Sequence, residues 1–166
     1  MPRQDYTIRP ATDVDADALT ELKVRMGDQH HAYDPEVWAE GDRTADGWRR
    51  EFAEHLRAEN VRVLVAESSS GECVGLVTCR VDEAPYERAA RRAGLIGELI
   101  IHPAHQRRGL GARLAEAALE ALGELGADDV TLHVAVRNAQ AVRFYERLGF
   151  RIIMHRMFMR LRPADG

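Results

Sequence analysis

The sequence predicts one mixed α/β domain of the α+β kind, and three observations carry that prediction. Short apolar runs alternate with period two, as in Val61, Val63 and Val65 and again in Val130, Leu132, Val134 and Val136. Longer stretches repeat with helical period, most clearly Leu110, Leu114, Ala117, Ala118, Ala121, Leu122 and Leu125. The two patterns interleave, with a strand–helix–strand unit in the second half, and no repeat or low-complexity linker divides residues 1–166. A chain of this length buries roughly two-thirds of its unfolded surface, enough for one core.

The elements follow in order. Tyr6 to Arg9 alternates as a short strand stopped by Pro10. Asp13 or Asp15 caps a helix through about Met26, with Ala18, Leu19, Leu22 and Met26 on one face. Gly27 to Gly47 is polar and acidic, with a short helix expected only around Glu36 to Ala39. Helical period returns from Trp48 to Glu59 through Phe52, His55 and Leu56. The strand from Val61 ends at the Ser68-Ser69-Ser70-Gly71 turn, and a second strand from Cys73 to about Val81 makes a hairpin. A charged loop from Asp82 to Arg92 precedes the apolar run Leu95 to Ile101, which His102-Pro103 stops. The long helix from Leu110 ends at Gly126, a C′ glycine. After the Val130 to Val136 strand, Asn138 caps a helix bearing Ala141, Val142, Tyr145 and Leu148. Phe150 to Leu161 reads as a final strand or strand pair.

Composition narrows the function. Hydrophobic residues make up 45% and charged residues 30%, an ordinary globular balance. A net charge of −4 disfavours a nucleic-acid binder, which needs a positive surface, and suits a cationic small substrate. No run approaches the ~20 apolar residues that cross a bilayer, and Met1 to Asp5 has no signal-peptide core, so no membrane partner and a cytoplasmic location are expected. Cys73 and Cys79 on one strand would stand ~20 Å apart, too far for a disulfide. They read as free thiols of a reducing compartment. His30-His31 and the pair His102 and His105 lack the cysteines or carboxylates that complete a metal site, so no metal is expected.

The turn Gln106-Arg107-Arg108-Gly109-Leu110-Gly111 holds the chemical signal. Gly109 and Gly111 stand at a helix start, where lack of a Cβ lets backbone N–H groups close on an anion. Arg107, Arg108 and Arg113 crowd the same end, although cations there oppose the helix dipole by ~0.3–1 kcal/mol each. An external phosphate satisfies dipole, donors and arginines together; the alternative is a glycine-bearing helix start with solvated arginines. A dinucleotide loop is disfavoured, because Leu114 stands where its third glycine would be.

With the preceding apolar strand and Pro103, this turn resembles motif A of the GNAT superfamily, Gln/Arg-x-x-Gly-x-Gly/Ala, through Gln106, Gly109 and Gly111. About thirty residues on, Asn138, Ala141 and Phe144-Tyr145-Glu146-Arg147-Leu148-Gly149-Phe150 resemble its motif B. The resemblance covers residues 61 to 150 well and residues 1 to 60 in outline. It implies a largely antiparallel sheet of about six to seven strands flanked by four helices, splayed between the strands ending at Ile101 and near Val136. Acetyl-coenzyme A would lie in the splay as co-substrate. Backbone groups of Leu99, Ile100 and Ile101 would pair with its pantetheine, and N–H groups from Arg107 through Arg108, Gly109, Leu110 and Gly111 to Ala112 would hold its pyrophosphate. Asn138 would reach the pantetheine arm, and Tyr145 would point its hydroxyl at the sulfur.

N-acetyl transfer by direct attack in a ternary complex needs an unprotonated amine, a stabilised oxyanion and a proton for the thiolate. A primary amine with pKa near 10.4 is free base in about one molecule in two thousand at pH 7, so a general base helps. Tyr145 is the expected acid, with packing on its apolar stripe as the alternative. Glu98 interrupts an apolar strand and is one candidate base, its pKa expected to be raised by burial; pairing with an arginine is the competing role. His133 is the other candidate, at a position where some family members carry glutamate, with a structural histidine as its alternative. A backbone N–H near Ile101 is expected to meet the oxyanion. The acceptor is expected between Gly27–Gly47 and the Asp82–Arg92 loop, where Asp28, Asp34, Glu36 and Asp42 suit a cation such as a polyamine, aminoglycoside-like sugar or peptide amine. Family members are often homodimers, though no interface is legible. The competing class is a non-catalytic acyl-coenzyme A sensor or interaction module.

Overall fold

In the computed structural model, which describes residues 5–38, 44–83 and 92–161, five strands form one sheet in the order β1-β2-β3-β4-β5. They are β1 (Tyr6–Pro10), β2 (Val61–Ser68), β3 (Cys73–Glu83), β4 (Arg92–Ile101) and β5 (Asp129–Leu132). The first four pair antiparallel, whereas β5 runs parallel to β4. That parallel return needs a crossover, and the helix α3 (Leu110–Glu124) supplies it.

Period-two alternation divides the core between the two faces of the sheet. Val61, Val63, Val65, Leu76 and Ile100 face α1 (Ala16–Tyr33) and α2 (Ala45–Arg57), packing with Leu19, Leu22, Trp48 and Phe52. Leu64, Ala66, Val77 and Ile96 face α3 through Leu110, Leu114, Ala118 and Leu122. With both faces covered, β3 is apolar almost continuously from Val74 to Cys79. The fourth helix, α4 (Ala139–Arg147), has no fully buried residue and carries Phe144 to the start of α3.

Several boundaries differ from expectation. α1 continues past Met26 to Tyr33, its polar second half held by an Arg25–Glu21 pair and a Gln29–Tyr33 hydrogen bond at helical spacing. Around Glu36 there is a turn in place of a helix: the Asp34 carboxylate accepts from the N–H groups of Glu36 and Val37. α2 begins early at Ala45 because Thr44 caps it, accepting from the Gly47 N–H at 3.2 Å. Most of the expected Asp82–Arg92 loop lies outside the described residues.

The expected strand to Val136 stops at Leu132. Its last ladder partner is Ile96, after which a bulge carries β4 away and leaves Val136 89% exposed. Residues 151–160, expected as a final strand or strand pair, have no regular structure and are exposed. A sheet of five described strands results, where six to seven were expected.

Candidate functional site

One edge of β4 pairs with β3 along its length, but the other meets β5 only from Ala93 to Ile96. From Gly97 to Ile101 that second edge has no strand partner among the described residues. Leu99, Ile100 and Ile101 therefore expose backbone to a splayed gap of the expected kind, able to pair with an extended, amide-bearing ligand.

The gap leads to the turn before α3. His102 caps a 3-10 turn at Pro103–His105, and the Gln106 side chain donates back to the Ile101 carbonyl at 3.1 Å. Arg107 then adopts φ 59° and Gly109 φ 78°, left-handed values that turn successive N–H groups toward one side. Gly109 is the N-cap of α3 and no side chain caps it, so the first-turn donors of Leu110, Gly111 and Ala112 face outward without one. Tyr6 braces this turn. Its carbonyl accepts from Arg113 at 2.8 Å, and its hydroxyl contacts His105 and, at 3.5 Å, Arg108. Two of the three expected phosphate-facing arginines are thus tied to β1. That role of Tyr6 was missed, because its strand lies a hundred residues away in sequence.

α4 closes the gap from the other wall. The Asn138 carbonyl oxygen caps α4 by accepting from the Ala141 N–H at 3.1 Å, which leaves its amide NH2 for another partner. Tyr145 stands edge-on between Phe144 and Phe150, at 5.0 and 5.7 Å between ring centroids. Burial pushes its hydroxyl up to about 12, so it stays a proton donor across the neutral range. Phe144 lies over Gly111, beside Leu99.

Glu98 is half of a buried cluster on the α1–α2 face. Its carboxylate accepts from the Lys23 ammonium and the Thr78 hydroxyl, and its N–H donates to Thr78 Oγ1 at 3.0 Å. Desolvation pushes the carboxyl up, but Lys23, Thr78 and the charge of His55 together pull it below the usual carboxylate range. The expected raised value is therefore corrected, and the partner is a lysine where an arginine was anticipated. Lys23, 5% exposed, also lies over the Trp48 ring at 4.5 Å. Sequence reasoning passed over Lys23. The available signal was a cation at the Leu19–Lys23–Met26 spacing, on the apolar stripe of α1. A cleft of about 60 Å³ beside Glu98 is lined by Glu51, His55, Thr78, Arg80 and Gly97 among others.

The remaining candidates are less integrated. His133 is exposed and lies just past the end of β5, so strand alternation no longer orients it. Cys73 and Cys79 are both free, and burial pushes each thiol up to about 11. Among the described residues, no three metal-ligating side chains cluster and no helix is long and apolar enough to cross a membrane.

Fold and site together define a splayed-sheet domain in which an open stretch of β4 runs into a helix start that no side chain caps. Residues 24–150 match the acetyltransferase (GNAT) family, and the chain belongs to that family. The expected resemblance is borne out. The chain is similar to an uncharacterized N-acetyltransferase of Methanocaldococcus jannaschii, 31% identical over 147 residues, 87% of this chain and 60% of that one. An N-alpha-acetyltransferase of Sulfurisphaera tokodaii is 30% identical over 120 residues, covering 69% and 70%. N-alpha-acetyltransferase 30 of Xenopus laevis is 34% identical over 79 residues, 48% of this chain, and the match spans only 28% of that relative's length. Among solved structures, the BH1408 protein of Bacillus halodurans (as a tetramutant) superposes with TM-score 0.82 at 21% identity over 93% of this chain and 99% of that one. Aminoglycoside N-acetyltransferase AAC(6')-Iy in complex with CoA gives 0.76 at 16% identity over 98% and 99%. At those identities the structures share the fold.

Proposed function

We propose that this protein is an acetyl-coenzyme A-dependent N-acetyltransferase that acts on a primary amine by direct attack in a ternary complex. One observation carries the reading. The edge of β4 left open among the described residues runs into a helix start whose first-turn donors no side chain caps, which supports a strand-like and a phosphate-binding stretch of backbone in series.

In this reading the backbone of Leu99, Ile100 and Ile101 pairs with the pantetheine, and the N–H groups from Arg107 to Ala112 hold the pyrophosphate. Gln106 fixes the join between them, and the free amide of Asn138 reaches the pantetheine arm. Acetyl-coenzyme A supplies the activated acyl group. The amine nitrogen attacks the thioester carbon, the C–N bond forms and the C–S bond breaks. Tyr145 donates its proton to the departing thiolate, Glu98 accepts the amine's proton through water, and solvent then returns a proton to Tyr145 as Glu98 releases its own. Held below its usual range, the carboxylate is ionised at neutral pH and is a weak base that passes the proton on to water. His133, exposed beyond β5, is the weaker candidate base. Free Cys73 and Cys79 fit a reducing cytoplasm. The names of the relatives favour an amino-terminal or amino-sugar amine as acceptor.

The test is release of free thiol from acetyl-coenzyme A across a panel of peptide, polyamine and aminoglycoside amines. Turnover with at least one amine is expected. Tight coenzyme binding without turnover on any of them would favour the sensor instead.

A further inference from the structure

The polar cluster at Glu98 is built from four separate elements, and its construction is costlier than stability requires. Buried ion pairs are often no more stabilising than apolar residues of the same volume. Here α1 supplies Lys23, α2 supplies Trp48 and His55, β3 supplies Thr78, and a bulge in β4 supplies Glu98. The bulge sets Gly97 and Glu98 together opposite Thr78. Gly97 is required there, since a Cβ would stand 2.7 Å from Thr78 Oγ1. These features converge on the placement of one carboxylate, in the stretch of β4 that β5 leaves open.

We propose that Lys23 is the positioning residue of the acyl-transfer site: its ammonium, held between the Glu98 carboxylate and the Trp48 ring, fixes that carboxylate where the acceptor amine loses its proton. This rests on the reading of Glu98 as proton acceptor. Among the described residues, the charged and titratable groups around the carboxylate are Lys23 from α1, Glu51 and His55 from α2, and Cys79 and Arg80 from β3, with Thr78 as the neutral donor. Arg80 is paired with Asp82, and the His55 Nδ1 is buried with no hydrogen-bond partner among the described residues. Among the described residues Lys23 is the cation bonded to Glu98, and its charge also bears on His30 of α1, so the Glu98→Gln background separates the two effects.

The experiment follows thiol release against pH in the intact protein, Lys23→Met, Lys23→Arg, Thr78→Val and Glu98→Gln, with coenzyme affinity and thermal midpoint alongside. Lys23→Met is expected to lower kcat/KM for the amine by up to about 100-fold and to move the acidic limb of the profile to higher pH. Coenzyme affinity should stay unchanged. Lys23→Arg should restore part of the rate, Thr78→Val should move the limb less, and adding Lys23→Met to Glu98→Gln should cost little more. An unmoved limb in both Lys23→Met and Thr78→Val, beside a damaging Glu98→Gln, overturns the role of Lys23 alone. A harmless Glu98→Gln overturns that role and Glu98 as acceptor together, and no release from the intact protein overturns the enzymatic reading.

Discussion

At the start of α3 no side chain caps the first-turn donors of Leu110, Gly111 and Ala112, whereas around Glu98 both carboxylate oxygens are taken by buried neighbours. The first region is backbone, shaped by left-handed Arg107 and Gly109. The second is side chain, drawn from four elements and complete within the protein. In the proposed reading, a site for a large anion is made by leaving donors unsatisfied, and a site for one proton by satisfying every atom that orients the carboxylate. Binding and chemistry should therefore fail separately.

Tyr145→Phe should give the largest separation, lowering kcat by at least about 100-fold while coenzyme affinity by calorimetry changes little. Loss of affinity in that variant would merge the two regions into one. Gly109→Val should do the reverse, since a β-branched residue resists φ 78°. Coenzyme affinity is expected to fall about tenfold or more, with ~1–2 kcal/mol of stability from the strained backbone.

Acid titration sharpens the contrast in burial. Asp15 is held below its ordinary value by the Arg9 hydrogen bonds, and Glu98 likewise lies below its own against desolvation. A depressed folded pKa stabilises the protein above the unfolded value and loses that contribution as pH falls through the folded value. Arg9→Met should therefore be less stable than the parent at pH 7, and the difference in thermal midpoint should shrink as pH drops below about 4. A difference that grew on acidification would contradict the pairing. The smallest effect concerns the thiols. With both pushed up to about 11, alkylation of Cys73 and Cys79 at pH 8 should run about 100-fold slower than for an unburied cysteine until the protein unfolds.

What was legible depended on how local the determinant is. The α3 stripe, the β2–β3 hairpin and the Asn138 cap were readable because their signals span a few residues. The turn before α3 was readable because glycine spacing and a following helix are adjacent in sequence. The extension of α1 to Tyr33 was missed, since it is held by polar pairs that leave no apolar period. The end of β5 at Leu132 was missed because alternation continues to Val136, and only the loss of a ladder partner stops the strand. The Glu98 pKa was expected with the wrong sign. Burial alone raises a carboxyl, and Lys23, seventy-five positions away, is invisible to local pattern.

By itself the sequence determined the fold class, the helix and strand periods, and the backbone turn that suits phosphate, because those follow from residue type at short spacing. Tertiary structure alone decided which groups hold the Glu98 carboxylate, which arginines Tyr6 restrains, and where β4 parts from β5. Those depend on contacts across the sheet, and a low-dielectric interior makes each of them count only once the chain has closed around it.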